Sequence, residues 1–290
     1  MSNFAHLKKK DLMKMTYNIA VLDLNAGVLN EGMRCIKKLV EQFLSQDGIK
    51  GQYTVFEVRN ATEIPDIAHY DIFISSGGPG APFIADEKWE KPFFAFLDAL
   101  LRHNEEHLHK KHLFLICHSF QLACLHWDLA KVTKRKSTSF GVMPIHKTEK
   151  GLFEPFFNGL LNPFFAVDSR DYQVVKPNYK KLEKFGAKIL CKEKIRPHIP
   201  LERAVMAIRF TQEIFGVQFH PEADSEGMLK YFNREDKRSL VIKHHGKKKY
   251  LNMLEHLEDE DKIVRTNRTM IPGFLNQAAL TIMESKLLPL

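Results

Sequence analysis

Three short apolar runs, Tyr17–Leu24, Asp71–Ser75 and His112–Ile116, are each about one strand long and are separated by segments of helical periodicity. Leu29, Met33, Ile36, Val40, Phe43 and Leu44 recur at helical spacing after the first run. Phe93, Phe94, Phe96, Leu97, Leu100 and Leu101 do the same across Trp89–Leu101. Gln52–Val58 alternates like a strand, and Ser119–Leu129 reads as a helix after the third run. Strand and helix patterns taken in turn predict an α/β fold with a doubly wound, mostly parallel, flavodoxin-like central sheet over residues 17–224. From Phe140 onward, short strand-like runs follow without long helices between them: Phe140–Ile145, Phe164–Val167, Ala187–Cys191, Ala204–Phe210 and Ile214–Phe219. These predict an antiparallel extension of the same sheet. Residues 225–290 read as a helical, polar C-terminal appendage, and residues 1–16 as a polar, disordered leader.

Composition narrows the function classes. No apolar run approaches the roughly 18 residues of a membrane span. Lys8–Lys10 has no apolar stretch behind it, so the start does not read as a secretory signal. The four cysteines, at 35, 117, 124 and 191, form no C-x-x-C pair, which argues against zinc ribbons and redox dithiols. A reducing cytoplasm is the simplest compartment for a free thiol. The net charge of +8 gathers in Lys8–Lys10, Lys131–Lys136 and Lys243–Lys249. No aromatic interleaving or reading helix accompanies these clusters, which argues against nucleic acid. Solvated faces are the ordinary outcome, and docking of an acidic partner protein is the better alternative. His103 and His107 stand at i, i+4, but Lys110 and Lys111 repel a cation, so a solvated helix end is expected and no metal.

The chemistry-bearing residues lie at strand ends. Cys117 follows Leu113–Ile116 and opens the next helix, so it sits on a strand-to-helix elbow. Such an elbow lifts the side chain above the sheet and sets the sulfur at a helix N-terminus, which favours thiolate. Cys35, Cys124 and Cys191 read as buried structural cysteines. His220 and Glu222 follow the last strand-like run and flank Pro221. On an extended segment, residues two apart face the same way, so the carboxylate can hold the imidazole while the imidazole takes a thiol proton. Gly77-Gly78-Pro79-Gly80 ends another strand, where glycines let backbone N–H groups approach a ligand. One such N–H, with the amide next to Cys117, can form an oxyanion hole.

Taken together, Ser76-Gly77-Gly78-Pro79-Gly80, Leu115-Ile116-Cys117-His118-Ser119-Phe120-Gln121 and Phe219-His220-Pro221-Glu222 resemble the class I, triad-type glutamine amidotransferase family over residues 17–224. Among its members the likeness is to the GMP-synthetase-like glutaminase domain. Ser169-Arg170-Asp171-Tyr172-Gln173-Val174 is similar to the family segment that lines the glutamine pocket. The resemblance implies Cys117 as nucleophile, His220 as base and Glu222 as its orienter. It implies oxyanion N–H groups from Gly78 and His118, and Gln121, Ser169, Arg170 and Asp171 around the amino-acid end of glutamine. It further implies a γ-glutamyl thioester, no cofactor, and ammonia supplied to a synthase on a separate polypeptide, of which the sequence says nothing more. Four departures stand out. Leu115 and Ser119 replace the two elbow glycines, with serine tolerated there at some strain cost. Leu129-Ala130 replaces a Gly-Gly, and Arg170 replaces a histidine, putting a fixed charge at the pocket edge. That charge suggests a γ-glutamyl peptide hydrolase with the same triad, and the elbow replacements suggest a non-catalytic interaction protein on this scaffold.

Overall fold

The computed structural model describes residues 16–28, 30–198 and 200–287. The leader up to residue 15 with Lys8–Lys10, and Leu29, lie outside the described residues, as do the side chains of His244, His245 and Lys249. The strands are β1 Thr16–Asp23, β2 Lys50–Glu57, β3 Ile72–Ser75, β4 His112–Ile116, β5 Lys131–Lys147, β6 Phe164–Val175, β7 Lys188–Glu193, β8 Val205–Arg209 and β9 Ile214–Val217. The longer helices are α1 Glu31–Leu44, α2 Glu90–Glu106, α3 His118–His126, α4 Tyr179–Phe185, α5 Ser225–Asn233, α6 Glu235–His245, α7 Lys247–Glu258 and α8 Arg265–Leu287.

The strands form a single sheet in the order β2-β1-β3-β4-β9-β8-β7-β5-β6. The first five pair in parallel, and from β9 through β6 every pairing is antiparallel. The expected doubly wound half and its antiparallel extension are therefore both present, with β9 as the hinge between them. Alternation along the parallel strands divides the core into two layers. Ile19, Val21, Ile74, Phe114 and Phe215 pack with Met33, Ile36, Val40 and Phe43 of α1 and with α8. Ala20, Leu22, Phe73, Leu113 and Leu115 pack on the opposite face with Phe93, Leu97 and Leu100 of α2 and Phe120 of α3. Helix starts are set by side-chain acceptors: Asn30 Oδ1 takes the Gly32 N–H at 2.6 Å and Asp224 Oδ1 the Gly227 N–H at 2.8 Å.

Two expectations need correction. β5 begins at Lys131, not Phe140, and β6 runs on to Val175. Their outer halves form a half-exposed ribbon without a continuous apolar run, so hydropathy alone could not show it. The basic cluster Lys131–Lys136 is part of that ribbon rather than simply a solvated face. Arg135 is largely buried, with Nη2 3.0 Å from Glu193 Oε1. The second correction concerns the C-terminal segment, which is not a polar appendage throughout. Met270, Ile271, Phe274, Leu275, Ala278, Ala279 and Ile282 of α8 are buried in the first core layer. Tyr17 of β1 donates its hydroxyl to the Ala279 carbonyl at 3.2 Å. Phe232, Val241, Tyr250, Met253 and Leu257 from α5 to α7 cover Val142 and Val167 of the β5–β6 ribbon. Leu251 of α7 stays exposed.

Candidate active site

Parallel pairing puts the carboxyl ends of β1, β3, β4 and β9 at one edge of the sheet, and the strand order reverses between β1 and β3, the place where open α/β sheets bind ligands. A cavity of about 330 Å³ lies there. It gathers Asn25 after β1, the Gly77–Gly80 turn after β3, Cys117 and His118 after β4, and His220 and Glu222 after β9.

Cys117 has φ 49° and ψ −97°, a left-handed backbone that a non-glycine residue adopts only when its surroundings impose it. Both neighbours do so. The Cys117 N–H donates to Val217 of β9 at 2.8 Å, and its carbonyl accepts the Gln121 N–H of α3 at 3.0 Å. Ser119 adds a clamp that glycine cannot. Its fully buried hydroxyl accepts the Ile116 N–H at 2.9 Å and lies 3.0 Å from the Ser75 and Ile116 carbonyls. The serine is thus a bonded part of the elbow rather than a tolerated strain. Leu115 is accommodated for a separate reason, since its partner across the β4–β9 pairing is Gly216. A Cβ at Gly216 would come within 2.6 Å of Phe120 and 2.9 Å of Phe210.

His220 Nδ1 lies 2.8 Å from Glu222 Oε1. The two are not on a regular strand as expected. His220 makes an isolated bridge to Val167 of β6, its N–H donating to the Val167 carbonyl at 2.8 Å, and Pro221-Glu222 is a turn. The carboxylate meets the ring by turning back on it. Burial opposes a charge on His220, but the Glu222 carboxylate and the Cys117 sulfur outweigh it and push its pKa well above the ordinary imidazole value. Burial pulls His118 down to about 4, with Arg59 adding to the effect, so that imidazole is neutral near pH 7. Burial holds the other thiols protonated, raising Cys35 to about 12 and Cys124 and Cys191 well above the ordinary thiol value. Cys117 alone of the cysteines lines the cavity.

The remaining expected site residues divide. Ser169, Asp171 and Gln121 all line the cavity, and Gln121 Nε2 donates to the Tyr172 carbonyl at 3.2 Å. Arg170 is different. It reaches the cavity wall, but its guanidinium is buried, with Nε 2.8 Å from Asp168 Oδ1, Nη1 donating to the Tyr172 carbonyl at 3.2 Å, and Nη2 3.5 Å from Glu193. The fixed charge expected at the pocket edge is neutralised behind it. The expected glycine turn packs closely against its surroundings. Gly77 abuts the His220 ring, because a Cβ there would lie 3.0 Å from its Cε1. Gly78 abuts β1, because a Cβ there would come within 2.5 Å of the Leu24 carbonyl. Asn25 and Asn30 also line the cavity, and no spacing rule in a single sequence would have pointed to them. Among the described residues no group of His, Cys, Asp or Glu side chains is arranged to hold a metal ion. His103 Nε2 lies 3.0 Å from the His109 carbonyl, and His107 Nδ1 is 3.1 Å from that of His103. No described helix is long and apolar enough to cross a membrane.

An elbow cysteine, an imidazole and a carboxylate thus line one cavity at the carboxyl edge of a doubly wound sheet. The sequence profile of the glutamine amidotransferase class-I family matches residues 35–235, and the chain belongs to that family. No curated protein matches the sequence significantly. Solved structures share the fold at low identity. A glutamine amidotransferase of Thermotoga maritima is 14% identical, with a TM-score of 0.63 over 91% of this chain and 98% of its own. A glutamine amido transferase from Methylobacillus flagellatus is 13% identical, with a TM-score of 0.54 over 93% of each chain. The glutaminase domain of Trypanosoma brucei CTPS, with bound acivicin, is 16% identical, with a TM-score of 0.54 over 73% of this chain and 88% of its own. This is a family whose fold supports hydrolysis of the glutamine side-chain amide.

Proposed function

We propose that the chain hydrolyses glutamine to glutamate and ammonia through a γ-glutamyl thioester on Cys117, and passes the ammonia to a separate synthase. The observation that carries this reading is the 2.8 Å contact between His220 Nδ1 and Glu222 Oε1 beside the elbow cysteine. With Nδ1 engaged by the carboxylate, Nε2 is the nitrogen that takes the thiol proton. The thiolate adds to the amide carbon, and the N–H groups of Gly78 and His118 receive the negative oxygen. Collapse breaks the C–N bond, and His220 returns its proton to the departing ammonia. Water then adds to the thioester with His220 as base, releasing glutamate and the thiol.

Gln121, Ser169 and Asp171 are proposed to hold the amino-acid end of glutamine. Arg170 contributes through its backbone and by anchoring the Tyr172 carbonyl. The γ-glutamyl peptide hydrolase reading drew support from Arg170 reaching an extra carboxylate, and its guanidinium is already committed to Asp168 and Glu193. The non-catalytic reading rested on Leu115 and Ser119, and both fit the elbow through Gly216 and the Ser119 hydroxyl bonds. All the proposed catalytic groups lie within residues 17–224, the unit we propose as the amidotransferase domain.

The test is incubation with glutamine and, separately, with γ-glutamyl peptides, assayed for glutamate. Labelling by acivicin, located by peptide mass, accompanies it. Glutamate from glutamine and label on Cys117, both abolished in Cys117→Ser, are expected. Release only from γ-glutamyl peptides would replace this reading with the hydrolase, and no release from either would end it.

A further inference from the structure

The Glu222 side chain is held by a single hydrogen bond, to His220. Its carboxylate is 2% exposed, and Oε1 contacts His220 while Oε2 has no hydrogen-bond partner among the described residues. A buried carboxylate held by one hydrogen bond can swing about its side-chain torsions unless its backbone is held. The Glu222 backbone lies in a turn after β9, outside the sheet ladder. Its carbonyl finds a donor far along the chain: Asn267 Nδ2, in the first turn of α8, at 2.8 Å.

We propose that Asn267 is a positioning residue for the base. It fixes the Glu222 main chain so that the carboxylate meets His220 Nδ1. The helix it stands on is itself anchored on the sheet. The neighbouring Thr266 donates its hydroxyl to the Phe165 carbonyl of β6 at 2.6 Å. Further along, Ile271, Phe274 and Leu275 are buried in the core layer formed by β1, β4 and β9. On the other side of Glu222 stands the start of α1, where a Cβ on Gly32 would lie 3.1 Å from Glu222 Oε1. The carboxylate is thus enclosed between α1 and α8, and Asn267 supplies the hydrogen bond to its main chain from the α8 side. Asn267 also borders a second cavity, with Lys38, Asp224 and Arg268, so the contact lies near an accessible surface. This inference rests on His220 acting as the base, and it lies beyond the residues 35–235 that carry the family match. It gives the C-terminal segment a role in the chemistry in addition to its covering of the sheet.

The experiment compares Asn267→Ala and Asn267→Asp with wild type, and uses Tyr17→Phe as the control. That control removes the bond to the Ala279 carbonyl and loosens the same helix without touching Glu222. Two readouts are taken on full-length protein. One is kcat and KM for glutamine. The other is the rate of Cys117 alkylation by iodoacetamide as a function of pH, which reports the thiolate–imidazolium pair without any substrate. Both Asn267 variants are expected to lose about tenfold in kcat, the rate equivalent of one lost hydrogen bond, with KM little changed. The acid limb of their alkylation profile is expected to move to higher pH, and that of Tyr17→Phe to stay in place. Folded Asn267 variants with wild-type kcat and an unmoved limb would overturn the proposal. So would equal loss of kcat in Tyr17→Phe, which would mark Asn267 as merely structural. If wild type itself fails to hydrolyse glutamine, the catalytic reading fails, while the alkylation profiles still decide the role of Asn267.

Discussion

Replacing Ser119 separates two accounts of the elbow with opposite signs. If serine is a strained stand-in for glycine beneath Cys117, Ser119→Gly relieves crowding and stabilises the protein. The geometry argues the other way. The hydroxyl bridges the Ile116 N–H, at 2.9 Å, and the Ser75 carbonyl, at 3.0 Å, where β3 and β4 reach their carboxyl ends. The residue is wholly buried, so water does not replace what is removed. Losing that acceptor and donor costs about 1–3 kcal/mol. Ser119→Ala should lose that amount. Ser119→Gly should lose it and roughly 0.5–1 kcal/mol more, because glycine adds backbone freedom to the unfolded chain. Urea unfolding of the three proteins at one concentration measures both differences. The rate of Cys117 alkylation gives a second reading of the elbow, and it should fall in both variants. A Ser119→Gly protein as stable as wild type, or more stable, would refute the clamp and restore the strain account.

Four further outcomes follow from particular contacts. His220→Ala should leave almost no glutamine turnover, whereas Glu222→Gln should keep a measurable rate, because the carboxylate orients the ring without itself moving the proton; the reverse ranking in a glutamate-release assay would break the base-and-orienter assignment. Gly216→Val should destabilise by about 1–3 kcal/mol in urea unfolding, since its Cβ meets Phe120 at 2.6 Å and the opposing Leu115 occupies the remaining space. Burial opposes ionisation of Asp224, but Arg34, the Gly227 N–H and Lys38 outweigh it and hold the pKa at about 2, below the ordinary carboxylate value. A depressed acid stabilises the fold above its unfolded pKa, and this contribution, up to about 2 kcal/mol, should be lost as pH falls from about 4 through about 2; Arg34→Met should flatten that part of a stability–pH curve. Truncation at residue 225 should prevent folding as judged by circular dichroism, because it strips Phe274 and Leu275 from Phe114 and Phe215. A folded, active truncate would instead support a separable docking appendage, to be tested by charge reversal at Lys247, Lys248 and Lys249.

The sequence by itself determined what local chemistry can determine. Apolar runs of strand length, split by helical spacing, specified the parallel half of the sheet, because such strands are buried on both faces and leave a continuous signal. The elbow cysteine, the Gly77–Gly80 turn and His220-Pro221-Glu222 were legible because each depends on residues adjacent in the chain. What needed the tertiary structure is what depends on chain-distant partners. Lys131–Ser139 shows strand structure only through its pairing with β6. The Arg170 guanidinium turns away from the pocket because Glu193, on β7, takes its far end while Asp168, on β6 like Arg170 itself, takes Nε. Leu115 is accommodated by Gly216, and Ser119 serves the elbow through the Ser75 carbonyl, both contributed by neighbouring strands. Asn267 reaches Glu222 only because α8 returns across the sheet, and no periodicity or motif encodes a single amide meeting a single carbonyl. Burial and hydrogen bonding between remote segments are properties of the folded arrangement, so they appear only once the sheet has brought the segments together.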